Sequence, residues 1–225
     1  MSALPFMPDE LSTLQRFLLA WGQKNYRPFL WRETSNPYHI LLAEVFLHRT
    51  QARQAERVYR QFIQRYPAPA DLLSASQEEI QVALYALGLR WRADLLVKMV
   101  QQIQHQHYGQ IPHEREALLA LPGVSDYIAG AVRCFAWNEP EVLLDTNTVR
   151  IVGRLLDWDI RDSSRRSSRF RRALEALLDH ENPRAFNYAL LDLAHLVCLK
   201  RQPPRCAECP LKPWCAFAQA QPDDE

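Results

Sequence analysis

The sequence has 225 residues, 48% of them hydrophobic and 24% charged, with a formal net charge of +1. That balance fits one globular body or two intimate lobes and excludes an extended disordered chain. No run approaches the roughly 18 uninterrupted apolar residues of a membrane span, and Asp9 and Glu10 stand where a secretory signal would be basic and then apolar, so a cytoplasmic protein is expected. A net charge near zero gives no global pull toward nucleic acid, so any such affinity must come from local charge and aimed N–H groups.

In chain order, nearly every segment has helical period. Leu11, Leu14, Phe17, Leu18 and Trp21 form the apolar face of an opening helix with Asp9 and Glu10 at its start. Loop chemistry follows over residues 31–37, then helices over about 38–53 and 55–66, the second ended by Pro67-Ala68-Pro69. Ser76 with Glu79 reads as a capping box for a helix stopped near Gly88, and a further helix over about 92–107 stops at Gly109. Shorter helices flank Pro122-Gly123, and longer ones follow Asp145, Ser163 and Pro183. No segment sustains period-two alternation and no repeat recurs at a fixed period, so the expectation is an all-α chain of about ten helices.

The C-terminus departs from this pattern. Cys198, Cys206, Cys209 and Cys215 have seven, two and five residues between them, while Cys134 lies alone in a helical run. In a reducing compartment such spacing points to a metal or cluster rather than disulfides; zinc and iron–sulfur centres both take four thiolates, so both stay open. Cys134 reads as a small core residue.

Three further features carry chemistry. Glu44 interrupts a core-like stripe of Ile40, Leu41 and Leu47, where desolvation raises a carboxyl pKa and a charged His48 one turn on opposes the rise; it is a pocket acid or a buried structural glutamate satisfied by a loop N–H or by Arg32. Asp145, before Thr146-Asn147-Thr148, sits at a helix start, where it serves as an N-cap or as a chemical carboxylate. In Leu121-Pro122-Gly123-Val124-Ser125, Gly123 permits a positive φ, and the helix opening near Asp126 aims its N–H groups toward an anion or forms an ordinary corner.

Together the hairpin through Gly130, the Asp145-Thr146-Asn147 segment and the four cysteines resemble the helix-hairpin-helix superfamily of base-excision DNA glycosylases, which includes endonuclease III and MutY. The likeness extends to residues 29–32, 36–38, 43–50 and 186–192 and covers roughly residues 28–216. Within the superfamily the chain is most similar to thymine-DNA mismatch glycosylases of the archaeal MIG type, then to the catalytic domain of MutY. The resemblance implies a two-lobed all-α fold: residues 28–138 as a six-helix lobe with the hairpin, residues 1–27 and 139–225 as a lobe around a [4Fe-4S] cluster. It implies that Asp145 is the catalytic aspartate, Glu44 the pocket carboxylate, and Cys198, Cys206, Cys209 and Cys215 the cluster ligands. Gly123, Val124 and Ser125 would hold a DNA phosphate, with Asn147, Arg201 and Arg205 also at the DNA. Arg49, with His48, would fill the hole left by a flipped base.

The same comparison subdivides the activity. Tyr127 stands where endonuclease III-type enzymes carry the Schiff-base lysine, and none of the four lysines lies between the hairpin and Asp145, which implies base release without strand cleavage. His48-Arg49-Thr50, in place of the paired glutamines of MutY, and a chain ending soon after Cys215 lean toward thymine or uracil opposite guanine. Adenine opposite guanine or 8-oxoguanine is the alternative, and a catalytically silent DNA-binding module is a third reading. The expected partners are duplex DNA with a mismatched or damaged base and a downstream abasic-site endonuclease, with the protein acting as a monomer and away from membranes. Departures from the family pattern are Ser125 for a second hairpin glycine, Asp126 beside the expected phosphate, Thr146 after the aspartate, and one extra residue between Cys198 and Cys206. The arginine-rich run 161–172 reads either as a phosphate-contacting face or as a solvated helix face.

Overall fold

The structure, a computed structural model, describes residues 4–88 and 91–220, with Trp91 described by its backbone alone. Among the described residues there are twelve α-helices and no strand, as the helical periodicity requires. They are α1 (Pro8–Lys24), α2 (Pro37–Leu47), α3 (Ala52–Arg65), α4 (Pro69–Leu73), α5 (Gln77–Leu84), α6 (Trp91–His107), α7 (Arg115–Leu119), α8 (Asp126–Trp137), α9 (Thr146–Leu156), α10 (Ser168–Leu177), α11 (Pro183–Leu196) and α12 (Ala216–Gln219). No helix among the described residues is long and apolar enough to cross a membrane. The chain divides into two compact units, Pro28–Trp137 and Met1–Arg27 with Asn138–Glu225.

In the first unit α2 is the central helix. Asn36 caps it, its Oδ1 accepting the N–H groups of Tyr38 (2.9 Å) and His39 (3.4 Å), and Pro37 supplies a preset φ at the first position. Tyr38 and every residue from Ile40 to Phe46 are buried, so the helix is covered all round rather than along one stripe. It packs on α3 and α8, while α6 packs on α4 and α5. The sequence pattern carries this helix on to about residue 53, whereas α2 stops at Leu47. Arg92, fully buried, takes over at that end: Nη1 donates to the Phe46 carbonyl (3.1 Å) and Nη2 to the His48 carbonyl, and both reach Thr50 Oγ1 (3.3 Å). These bonds use carbonyls that another helical turn would need, and Arg49 turns out at φ 60°. Farther on, the Ser76–Glu79 box forms as read, with Ser76 N–H on Glu79 Oε2 (2.9 Å) and Glu79 N–H on Ser76 Oγ (3.2 Å). Pro69 does more than end α3, because it opens α4 at its first position.

In the second unit α1 lies against α11, and α9 is covered by α10, α11 and α12. Gly22 permits the α1–α11 approach: a Cβ there would stand 2.5 Å from the Ala189 Cβ. Leu14, Leu18, Val152, Phe186, Leu190 and Leu193 fill the core between these helices. Phe17, expected on the buried face of α1, is 48% exposed and sets its edge against Trp214 at 5.7 Å. Asp192, in one of the segments that resemble the family, is 1% exposed and accepts from Arg27 Nε at 2.6 Å, so a half-buried guanidinium pairs the buried carboxylate. After Asp162 the chain first makes a 3-10 turn through Arg166, and α10 starts only at Ser168.

Candidate active site and cysteine loop

The candidate residues divide between the units. Glu44, His48, Arg49, Gly123, Val124, Ser125 and Tyr127 belong to the first; Asp145, Asn147, Arg201, Arg205 and the four cysteines belong to the second.

Glu44 lies midway along α2 and is 6% exposed. One turn on, His48 and Arg49 are exposed in the turn that Arg92 fixes. Partial burial and the adjacent Arg92 and Arg49 guanidiniums hold the His48 imidazole below its ordinary range, which favours a neutral ring. Arg92 has no sequence signal, since an arginine that follows Arg90 just after a glycine turn reads as a surface cation.

The hairpin joins α7 to α8. Val124 N–H closes the turn onto the Leu121 carbonyl (3.1 Å), and Val124 itself is buried, so its amide serves the turn. Gly123 has φ 81°, a conformation that favours glycine, and a Cβ there would force the Leu95 side chain to move. Ser125 replaces flexibility with a cap: its carbonyl accepts Ala129 N–H (2.9 Å) and its Oγ accepts Ile128 N–H (3.3 Å). The Asp126 charge that would oppose a phosphate is met by Arg115, whose Nη2 lies 2.6 Å from Asp126 Oδ1. Tyr127 is half-buried in the first turn of α8.

In the other unit Asp145 caps α9. Its Oδ1 accepts the N–H groups of Asn147 (2.8 Å) and Thr148 (2.8 Å), and its Oδ2 accepts from Asn147 Nδ2 (2.7 Å). Thr148 Oγ1 accepts the Asp145 N–H at 2.9 Å, so cap and carboxylate fix each other. The capping geometry is therefore real, and it leaves a half-buried carboxylate held in one orientation. Asn147 passes the arrangement on, since its Oδ1 accepts from Arg150 Nη1 and Nη2 (3.3 Å each). Buried Arg150 continues into the cysteine segment through Nε to the Cys198 carbonyl (2.8 Å) and Nη2 to the Ala194 carbonyl (2.9 Å). Sequence reasoning misses Arg150 because its helical register next to Val149 and Ile151 gives no sign that it points inward.

The four cysteines line one cavity, with Ile151, Leu155, Leu193 and Arg154 among its walls. Arg154 Nη1 donates to Cys198 Sγ (3.2 Å) and to the Leu199 carbonyl (2.9 Å), and its guanidinium lies over the Phe217 ring. Burial pushes the Cys209 thiol up to about 12 and also raises Cys206 and Cys215, with the neighbouring thiols adding to the rise in each. Among the described residues no three His, Cys, Asp or Glu groups converge closely enough to hold a single metal ion. Four soft sulfur donors lining one apolar cavity are the donor set that a zinc ion or an iron–sulfur cluster takes. Arg201 and Arg205 are exposed on the loop between the first two cysteines, and Arg205 N–H bonds the Val197 carbonyl (3.0 Å). Cys134 is buried in α8, as its apolar surroundings suggest.

A family model described as HhH-GPD superfamily base excision DNA repair protein matches residues 42–177. A thymine-DNA glycosylase of Aeropyrum pernix is 37% identical over 219 residues, covering 92% of this chain and 95% of the relative. An adenine DNA glycosylase of Mycobacterium tuberculosis is 35% identical, over 90% of this chain and 67% of that one. The solved structure of a thermostable thymine-DNA glycosylase superposes with a TM-score of 0.87 at 28% identity, covering 94% of this chain and 97% of the other. With a family match over more than half of its length and relatives of this identity, the chain belongs to the HhH-GPD superfamily of base-excision DNA repair proteins, as a DNA glycosylase that hydrolyses N-glycosyl bonds.

Proposed function

We propose that this glycosylase removes thymine or uracil opposite guanine and leaves an abasic site without cutting the strand. The observation that carries the reading is the Asp145 carboxylate, fixed by two backbone N–H groups and one side-chain amide at the start of α9. Cleavage of an N-glycosidic bond builds positive charge on the sugar and negative charge on the departing base. A preorganised carboxylate stabilises the sugar cation and orients water, while Glu44 hydrogen-bonds or protonates the base. Asn147 holds Asp145 in place and would meet the DNA beside it.

The target base must first leave the stack, and mismatched pairs are the least costly to open. Arg49 and His48, presented on the turn after α2, would occupy the vacated space and touch the widowed guanine. The Gly123 and Ser125 amides at the start of α8 would hold a phosphate, with Val124 packing the turn beneath them. Arg201 and Arg205 would meet the backbone from the cysteine loop. Tyr127 in place of an amine forbids a Schiff base, which supports release without lyase chemistry.

Cys198, Cys206, Cys209 and Cys215 would hold a [4Fe-4S] cluster, which when bound would tie the C-terminal loop to the chain leaving α11. As-purified protein should be yellow-brown and contain about four irons per chain; zinc in their place rejects the assignment. The enzyme would work in the cytoplasm as a monomer on duplex DNA and hand its abasic product to an abasic-site endonuclease. Duplexes carrying G:T, G:U, A:G and A:8-oxoguanine pairs, treated with and without alkali, test the whole reading. Thymine or uracil release revealed only by alkali supports it. Adenine release moves the chain to the MutY-like class, and strand breaks without alkali overturn the monofunctional assignment.

A further inference from the structure

The segment from Arg161 to Arg172 carries six arginines against Asp162, a net +5, so the other 213 residues of this +1 chain sum to −4. The fold does not account for that concentration. Phe170, Ala173, Leu174 and Leu177 form a complete apolar stripe that seats α10 in its unit, and Ser164 is buried beneath the preceding 3-10 turn. Arg165, Arg166, Arg169 and Arg172 all face outward.

Their electrostatics run against stability in two ways. Arg165 and Arg166 stand immediately before the N-terminus of α10, and Arg169 lies in its first turn, which is the end where the helix dipole favours anions. Arg169 and Arg172 are also like charges one helical turn apart. No carboxylate relieves them: among the described residues Arg165, Arg166, Arg169 and Arg172 make no ion pair, and neither Asp162 nor Glu175 bridges to any of the four. Arg161, by contrast, is bridged to Asp159 at 2.7 Å. The Arg169 guanidinium lies 3.7 Å over the Trp158 ring, so one member of the patch is held against the fold by an aromatic face rather than by a carboxylate.

We propose that this face of α10 and the turn before it is a phosphate-contacting surface for duplex DNA, separate from the hairpin and from the cysteine loop, which adds sequence-independent affinity. The inference rests on the glycosylase reading for its choice of anion: a polyanion with regularly spaced phosphates can engage several unpaired guanidiniums at once, and each such engagement displaces counterions.

The test uses the full protein and a lesion-free duplex, with the dissociation constant measured over a series of salt concentrations. The variant R165Q/R166Q/R172Q removes three exposed charges without touching the apolar stripe, and R165K/R166K/R172K keeps the charge. The glutamine variant should lower the slope of log affinity against log salt by about 2–3, near 0.9 for each phosphate that is no longer neutralised, while the lysine variant stays close to wild type. An unchanged slope in the glutamine variant overturns the proposal and leaves a solvated face or an acidic protein as the reason for the patch. Base release at saturating enzyme should be the same in all three proteins, because none of these residues touches the reacting nucleotide; a glutamine variant that loses release even there overturns the separation of this surface from the catalytic machinery. If wild type releases no base from any mismatch, the proposed substrate fails, while the salt series still decides the patch.

Discussion

Asp145 is a helix cap in the structure and the proposed catalytic carboxylate, and two substitutions separate these roles. Asparagine caps about as well as aspartate, so D145N keeps an oxygen for the Asn147 and Thr148 N–H groups. It gives up the hydrogen bond to Asn147 Nδ2, where two amides would meet donor to donor, because the Asn147 oxygen is already engaged by Arg150. The net loss of one part-exposed hydrogen bond is about 0.5–1 kcal/mol. D145A loses the whole cap, about 1–2 kcal/mol. For a chain of this size, 1 kcal/mol corresponds to roughly 2–4 °C in melting temperature, so alanine should melt visibly below asparagine. Single-turnover base release should order the variants differently. Both lose the charge that stabilises the sugar cation, and both should fall by at least about 10²–10³-fold, the effect of removing one preorganised electrostatic partner. The decisive assay is release by D145N under conditions where thermal melting confirms that it is folded and gel shift confirms that it binds duplex DNA. If D145N releases base at near the wild-type rate, Asp145 is only a cap and the mechanism must be rebuilt around another group.

Gly123→Ala combines a φ of 81° with a collision against Leu95, so it should cost about 1–3 kcal/mol and weaken duplex binding; unchanged binding and melting would show that the hairpin adapts. Arg92→Met leaves the Phe46 and His48 carbonyls without their donor, with an expected loss of about 2–4 kcal/mol and faster tryptic cleavage after Arg49; cleavage at the wild-type rate would mean that the turn holds itself. For His48 the folded-state pKa lies below the ordinary value, so on acidification the unfolded chain takes up the proton first. The stabilising contribution is present above about pH 6.5 and fades as pH falls toward the lowered folded pKa. Urea unfolding between about pH 7 and pH 5 should therefore be flatter for His48→Gln than for wild type, and superimposable pH profiles would contradict the assignment.

The sequence discloses most clearly whatever depends on local chemistry. The capping box at Ser76, the left-handed glycines at 88, 109 and 123, and the cap at Asp145 involve residues two to four positions apart, where backbone geometry leaves few options. The four cysteines are legible as a group for a similar reason, because their close spacing brings all four to one cavity. Less legible is anything settled by a partner distant in sequence. The run from residue 48 to 51 contains no Gly or Pro and reads as continuous helix, yet Arg92 ends α2 there by capturing the Phe46 and His48 carbonyls. Asp126 looks like a flaw in a phosphate site until Arg115, eleven residues earlier, is seen against it. Phe17 fits the apolar face of α1 by spacing, and only the position of Trp214 shows why it sits at the edge of that face instead.

The two buried arginines that escape the sequence reading share a physical logic. Each places a guanidinium where a helix ends and its final carbonyls lack intrahelical donors: Arg92 at the end of α2, and Arg150 at the end of α11, where it meets the Ala194 and Cys198 carbonyls. That end of a helix carries the partial negative charge, so a buried cation recovers there some of the solvation it gives up. Ending a helix on a guanidinium also fixes the direction in which the chain leaves. After α2 the chain turns out through His48 and Arg49; after α11 it enters the cysteine loop, and the same Arg150 holds Asn147 and through it Asp145. Each unit thus commits one buried charge to the precision of a segment that would otherwise be free to fray, and loss of either arginine should disturb geometry at the proposed site before it disturbs the hydrophobic cores, which are built from other residues.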